Sequence, residues 1–133
     1  MATWEDVRRL ALALPDTAET TSHGNMQWTV HKKGFVWERP LRKSDLEALG
    51  ERAPRGAILG VHVEHLGMKD LLLASKPEVY FTTPHFDGYP SVLVRLEQID
   101  LPELEELITE AWLARAPQRT AKHWLAERAP DKP

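Results

Sequence analysis

The chain has 133 residues and no cysteine, and its 17 lysines and arginines stand against 20 acids for a net charge of −3. That length suits one domain, 1–133, able to bury roughly two thirds of its unfolded surface in a single core. The composition excludes disulfides, thiolate nucleophiles and sulfur-ligated metal centres and gives no global electrostatic case for a polyanionic partner. With no eighteen-residue apolar run and no basic-then-apolar N-terminus, a cytoplasmic protein without membrane contact is expected.

Thr3 is placed to cap a first helix with Glu5 and Asp6 in its opening turn, and Val7, Leu10, Ala11 and Leu14 share one face before Pro15 ends it. Trp4 is expected to staple the helix start. Residues 18–22 read as an edge strand and 23–25 as a turn. From Met26 to His31, Met26, Trp28 and Val30 alternate with Gln27, Thr29 and His31, the pattern of a half-buried strand. Lys32, Lys33 and Gly34 then form a tight turn into Phe35, Val36 and Trp37, giving a hairpin with two lysines at its tip. Such a tip is a candidate phosphate contact, and equally a lysine-protected edge that resists pairing.

Residues 40–56 read as a short basic helical insertion. Pro40 breaks the strand, Ser44 and Glu47 match a capping box, and a helix is predicted near 45–49 with Leu46 and Leu49 on its apolar side. From Lys32 to Arg55 there are seven basic residues against four acids, whereas Glu97 to Glu110 carries six acids and no base. Residues 57–63 form a strand with Leu59, Val61 and Val63 on an apolar face and Ile58, Gly60 and His62 on a mixed one. His62 and His65 make a weak metal pair, because no third ligand has a matching spacing, and surface or capping roles are simpler. No metal or cofactor is expected. A helix over 67–74 directs Met68, Leu71 and Leu72 inward.

Strands at 79–81 and 92–96 flank the stretch TTPHFDGYPSV, which joins them as a long hairpin connection or a crossover. Pro84 and Pro90 fix φ there, Gly88 can take positive φ, and Phe86 or Tyr89 is expected to dock the tip against the sheet, so the loop should be rigid. Asp100 and Glu103 form a capping box ahead of Leu104, Leu107, Ile108, Ala111 and Trp112, a full helical stripe. Pro117 opens a last helix in which Thr120, Ala121, Trp124 and Leu125 can pack, and the tail 129–133 is expected to fray.

A helix ending in LP, the hairpin KKGFVWERP, the run VYFTTPHFDGYPSVLVRL and the helix segment EAWLARAP together resemble the MmcQ/YjbR family over nearly the whole chain. The resemblance implies a compact α+β fold with a curved, mostly antiparallel sheet covered by helices on one side. It also implies DNA binding through hairpins arranged as a double wing. In this chain the hairpin reads Lys33, Gly34, Phe35, Val36 and Trp37, and the basic insertion follows Pro40.

Three functional readings follow. Weak, phosphate-directed DNA binding would use Lys32, Lys33, Arg39, Arg42 and Lys43, with Trp37 or Phe86 for stacking. A small-molecule or protein-binding adaptor would use an aromatic pocket of Trp28, Trp37, His85, Phe86 and Tyr89. Acid–base chemistry could draw on His85, Asp87 and Tyr89, but the chain has no nucleophile motif, phosphate-binding glycine loop or paired carboxylates, so a non-enzymatic protein is expected.

Overall fold

The computed structural model describes residues 2–54 and 56–128. Six strands, Thr17–Ser22 (β1), Asn25–Val30 (β2), Lys33–Glu38 (β3), Ile58–His62 (β4), Tyr80–Phe81 (β5) and Ser91–Arg95 (β6), form one curved antiparallel sheet in the order β1-β2-β3-β4-β6-β5. Five α-helices accompany it: Trp4–Leu12 (α1), Lys43–Leu49 (α2), Leu66–Ser75 (α3), Leu101–Arg115 (α4) and Gln118–Arg128 (α5).

Strand pairing decides which side chains share a face. Trp28 lies opposite Val36, Val36 opposite Val61, Val61 opposite Val92, and Leu59 opposite Val94. These residues make the apolar face, over which α1 crosses β1 and β2, α4 crosses β3 and β4, and α3 lies beside β5 and β6. Because side chains alternate along a strand, the neighbours Gln27, Trp37, Gly60 and Leu93 point the other way. On that second face Ile58, Phe81 and Leu93 form a smaller cluster beneath Leu41, Leu49 and Phe86, so the sheet is partly covered there too.

Both N-terminal hairpins close in two residues, with positive φ at His23 and Gly24 and at His31 and Lys32. Such turns match the twist of the strands they join. The second turn therefore falls one residue earlier than the sequence suggested, and Gly34 belongs to β3. A Cβ on Gly34 would come within 2.2 Å of Nε2 of Gln27, so this glycine permits a close cross-strand approach and does not make the turn.

The helix starts show the local chemistry directly. At α1 the Thr3 hydroxyl accepts from the Asp6 N–H at 3.3 Å while the Asp6 carboxylate accepts from the Thr3 N–H at 2.9 Å, and Trp4 stacks on Trp28 at 6.4 Å. The start of α2 departs from expectation: Asp45, and neither Ser44 nor Glu47, reaches back to the Arg42 N–H at 2.8 Å. That setting turns Leu46 to solvent and leaves Leu49 to pack. In α3 the inward positions are Met68, Lys69, Leu72 and Leu73, and Leu71 is 60% exposed. Leu125 of α5 is likewise exposed, while Trp124 packs. The expected fraying of 129–133 lies outside the described residues.

Helix α4 carries the stripe its sequence announces but only half of the expected capping box, because the Glu103 carboxylate turns to Lys76 and Tyr80 and away from the Asp100 N–H. Asp100 accepts from the Glu103 N–H at 2.9 Å, and Leu104, Leu107, Ile108, Ala111 and Trp112 are all buried. The Trp112 indole N–H donates to the Pro15 carbonyl at 3.0 Å across 97 residues of sequence, and Trp124 lies 5.4 Å from its ring. Replacing Trp112 with alanine is expected to cost on the order of 3–5 kcal/mol, through lost burial and the cavity left behind. Urea denaturation checks this, and an unchanged midpoint would contradict the burial.

Candidate functional site

The basic residues singled out in the sequence do not converge. Lys32 and Lys33 are exposed at the β2-β3 turn, whereas Arg42 and Lys43 are exposed beyond the far end of β3. Six residues of extended chain separate Lys33 from Arg39, a distance of about 20 Å. Arg39 must be removed from the group of phosphate contacts. It is only 6% exposed, its guanidinium lies 3.0 Å from the Asp45 carboxylate and 5.2 Å above the Phe86 ring, and it ties α2 to the loop beneath. Burial opposes ionisation of Asp45, yet the Arg42 N–H and the Arg39 charge outweigh it and hold the carboxyl below its usual range. The two hairpin tips, at His23–Gly24 and His31–Lys32, sit at opposite ends of β2.

The expected aromatic pocket does not assemble. Trp28 is buried on the helix-covered face, with its indole N–H donating to Glu19 at 3.0 Å. Trp37 faces the other side, where its ring occupies the space that a Cβ on Gly60 would need. One residue of register puts the two indoles on opposite faces.

The connection between β5 and β6 is a hairpin loop, and it is ordered by its own bonds. Pro84–Phe86 makes a 3-10 turn, and a type II turn follows from Phe86 to Tyr89, with Asp87 at φ −59 and ψ 130, Gly88 at φ +79, and the Tyr89 N–H donating to the Phe86 carbonyl at 3.0 Å. Phe86 docks into the smaller cluster. Tyr89 does not anchor anything: it is 61% exposed, and His85, also exposed, meets Phe86 edge-on at 4.9 Å. The missing anchor is Lys69, which is 5% exposed and donates to the Phe86 carbonyl at 2.6 Å and the Tyr89 carbonyl at 3.0 Å. Burial lowers its pKa, against the nearby charges of Asp87 and Asp70. A lysine between Met68 and Asp70 reads as surface, and no sequence signal marked it.

A cleft of about 590 Å³ lies between α3 and α4. Its floor is apolar, from Val63, Met68, Leu72, Leu107 and Ala111, and its rim carries Glu64, Asp100, Glu103, Glu106 and Glu110 against Lys76. Two of these acids have partners already: Asp100 caps α4, and Glu103 pairs with Lys76 and accepts from the Tyr80 hydroxyl at 2.5 Å. Burial and that bond push the Tyr80 phenol far above its ordinary range, while the bond to Glu103 raises Lys76. Glu64, Glu106 and Glu110 have no ion pair among the described residues. Glu106 and Glu110 stand one helical turn apart, where like charges cost a few tenths of a kcal/mol.

His62 lines the same cleft where β4 ends. Burial, helped by the Arg115 charge, lowers its pKa from 6.5 to about 4. His65, by contrast, is the α3 cap, accepting from the Met68 N–H at 3.1 Å. No group of three side chains able to hold a metal occurs among the described residues.

The YjbR family model matches residues 12–114. An uncharacterized protein of Mycobacterium tuberculosis and one of Mycobacterium bovis are each 56% identical over 129 residues, covering 95% of this chain and 98% of theirs. The crystal structure of Deinococcus radiodurans protein DR2400, with family-model domain DUF419, superposes with a TM-score of 0.64 at 16% identity, over 99% of this chain and 84% of that one. At that identity the likeness is one of fold.

The depressed His62 pKa has a consequence for stability. Between pH 6.5 and about 4 the unfolded chain binds the proton that folded His62 refuses, so stability is full above this window and falls as pH drops through it. The carboxyls of Asp6 and Asp45, held below 3.8, lose their contribution only at still lower pH. In His62→Gln the urea midpoint should decline less across the histidine window than in the wild type. Parallel declines would contradict this.

Proposed function

The chain belongs to the YjbR family, and on that premise we propose that it is a non-enzymatic binding module whose α3-α4 cleft holds a small amphipathic molecule bearing a protonated amine. The observation that carries this reading is the union of an apolar floor with a rim where Glu64, Glu106 and Glu110 lack counterions among the described residues. The cleft is of the size that encloses small ligands, and its few charged groups sit where they can orient one. Helix α4 bears like charges at Glu106 and Glu110 one turn apart, and a bound ammonium would relieve that repulsion.

Phosphate-directed DNA binding is the competing reading. With Arg39 buried, it retains Lys32, Lys33, Arg42 and Lys43, so the logarithm of affinity should fall with the logarithm of salt at a slope no steeper than about −4. The two lysine positions and the α2 positions lie at opposite ends of β3, and the net charge of −3 opposes a polyanion.

Calorimetric titration with octylamine and octanol, beside fluorescence anisotropy with a labelled DNA duplex, separates the readings. Octylamine should bind and octanol should bind more weakly. Glu106→Gln with Glu110→Gln should weaken octylamine by about tenfold, the equivalent of about 1.4 kcal/mol, and leave octanol unchanged. Equal binding of the amine and the alcohol would overturn the reading. Salt-sensitive duplex binding abolished by Lys32→Glu, Lys33→Glu and Arg42→Glu, with no binding of octylamine, would replace it.

A further inference from the structure

We infer that the free edge of β1 is a self-association surface, on which two copies of this chain pair β1 with β1, antiparallel, about a two-fold axis at Thr20. The first hairpin sets the geometry. Its two-residue turn at His23 and Gly24 makes Ser22 and Asn25 a hydrogen-bonded pair, and bonded pairs then alternate along the ladder at Thr20 with Gln27 and at Ala18 with Thr29. The N–H and carbonyl groups of Thr17, Glu19 and Thr21 therefore point away from β2. Among the described residues no backbone group of β1 bonds outside its own hairpin.

An open sheet edge is ordinarily protected, and β1 carries none of the usual devices. It is six residues long, has no proline, lysine or bulge, and pairs with β2 residue for residue. Its charged residue, Glu19, lies on the helix side and is engaged there by Arg8 at 3.0 Å and by the Trp28 indole N–H at 3.0 Å. Thr17, Thr20 and Thr21 are β-branched and suit a strand, while Ala18, Thr20, Thr21 and Ser22 are exposed. The opposite edge of the sheet differs, because β5 has two residues and both are buried.

The residues of β1 select a second copy as the occupant. Antiparallel pairing sets outward-pointing residues against one another, and with Thr20 opposite Thr20 it places Glu19 opposite Thr21 and Ala18 opposite Ser22. No like charges then meet, a Thr–Thr pair sits on the axis, and Glu19 and Thr21 of each copy exchange N–H···O bonds with Thr21 and Glu19 of the other. Sliding the strands one way would set Glu19 directly against Glu19, and sliding them the other way would leave only residues 20–22 paired. The axis stands perpendicular to the sheet, so the two sheets become one with the helices of both copies on the same face. Residues 18–22 make a small polar joint, short of the roughly 20–30 residues a side of a stable interface, so association is reversible. Strand β1 contributes nothing to the α3-α4 cleft, and the inference is independent of the ligand held there.

Sedimentation equilibrium of the full chain tests this, together with single cysteines introduced into a chain that has none. The average mass should climb from one chain toward two as concentration rises. Thr20→Lys, at an exposed position, sets like charges across the axis and should hold the protein monomeric, with its thermal midpoint at low concentration unchanged. Thr21→Pro removes an outward N–H without breaking the bonds to β2 and should likewise abolish the rise in mass. Under oxidation Thr20→Cys should give a disulfide-linked dimer, because a non-hydrogen-bonded pair brings its Cα atoms to about 4.5 Å. Ala18→Cys should not, since its counterpart is displaced along the strand by about 14 Å. A wild type that stays monomeric at the highest concentration, or a dimer that Thr20→Lys leaves intact, would overturn the inference. Equal crosslinking of Thr20→Cys and Ala18→Cys would overturn it as well.

Discussion

Everything in this molecule is arranged around where α4 rests on the sheet. Its stripe from Leu104 to Trp112 covers β3 and β4, and the indole of Trp112 is held by the Pro15 carbonyl at the end of the first helical segment. That bond joins the two ends of the chain across the apolar face, with α1 on one side of α4. Helix α3, placed beside β5 and β6, approaches α4 from the other side and is joined to it where Lys76 meets Glu103. Away from that bridge the two helices leave a cleft. The cleft is therefore a product of the packing, and Leu107 and Ala111 serve both the core and its floor.

The second organising constraint is the two-residue period of the strands. It puts Trp28 and Val36 toward the helices and Trp37 toward the opposite face, where Gly60 leaves room for the indole. It also allows α2 and the 84–89 loop to build a small second core from Ile58, Phe81, Leu93, Leu49 and Phe86. Two cations secure that face from beneath: Arg39 joins Asp45 and covers Phe86, and Lys69 holds two loop carbonyls. Buried ion pairs contribute little net stability against their desolvation, so Arg39 is better understood as fixing the position of α2 than as a source of free energy. Breaking the pair would still be costly, because Asp45 would be left charged among apolar groups.

Much of this was legible in the residues. The Asp100 cap and the stripe of α4, the alternation of Leu59, Val61 and Val63, and the capping of α1 by Thr3 are local patterns, and local patterns translate directly into local structure. The α+β fold followed from the family resemblance, and the matching of YjbR over residues 12–114 agrees with it. What was not legible depends on distant partners. Lys69 and Arg39 look like surface cations until the loop carbonyls and Asp45 arrive from elsewhere. Leu71 and Leu46 look like core until the helix phase is set by tertiary packing. The basic residues are neighbours along the chain, yet an intervening strand separates their two halves. The cleft was hidden for a related reason: its residues come from β4, α3, β5 and α4, and no single segment carries its chemistry.

The acids of α4 show how a binding role and stability pull apart. Glu106 and Glu110 place like charges one turn apart on one helical edge, and burial together with the Arg115 charge keeps His62 neutral in the folded protein. Such groups make sense if a ligand completes them. A residue-resolved map of backbone amide shifts, taken with octylamine and separately with a DNA duplex, tests that claim most directly. The account predicts that octylamine moves the amides of His62, Leu72, Glu106 and Glu110, while the duplex leaves the spectrum unchanged at physiological salt. Shifts at Lys32, Lys33, Arg42 and Lys43 with the duplex, and none in the cleft with octylamine, would contradict it.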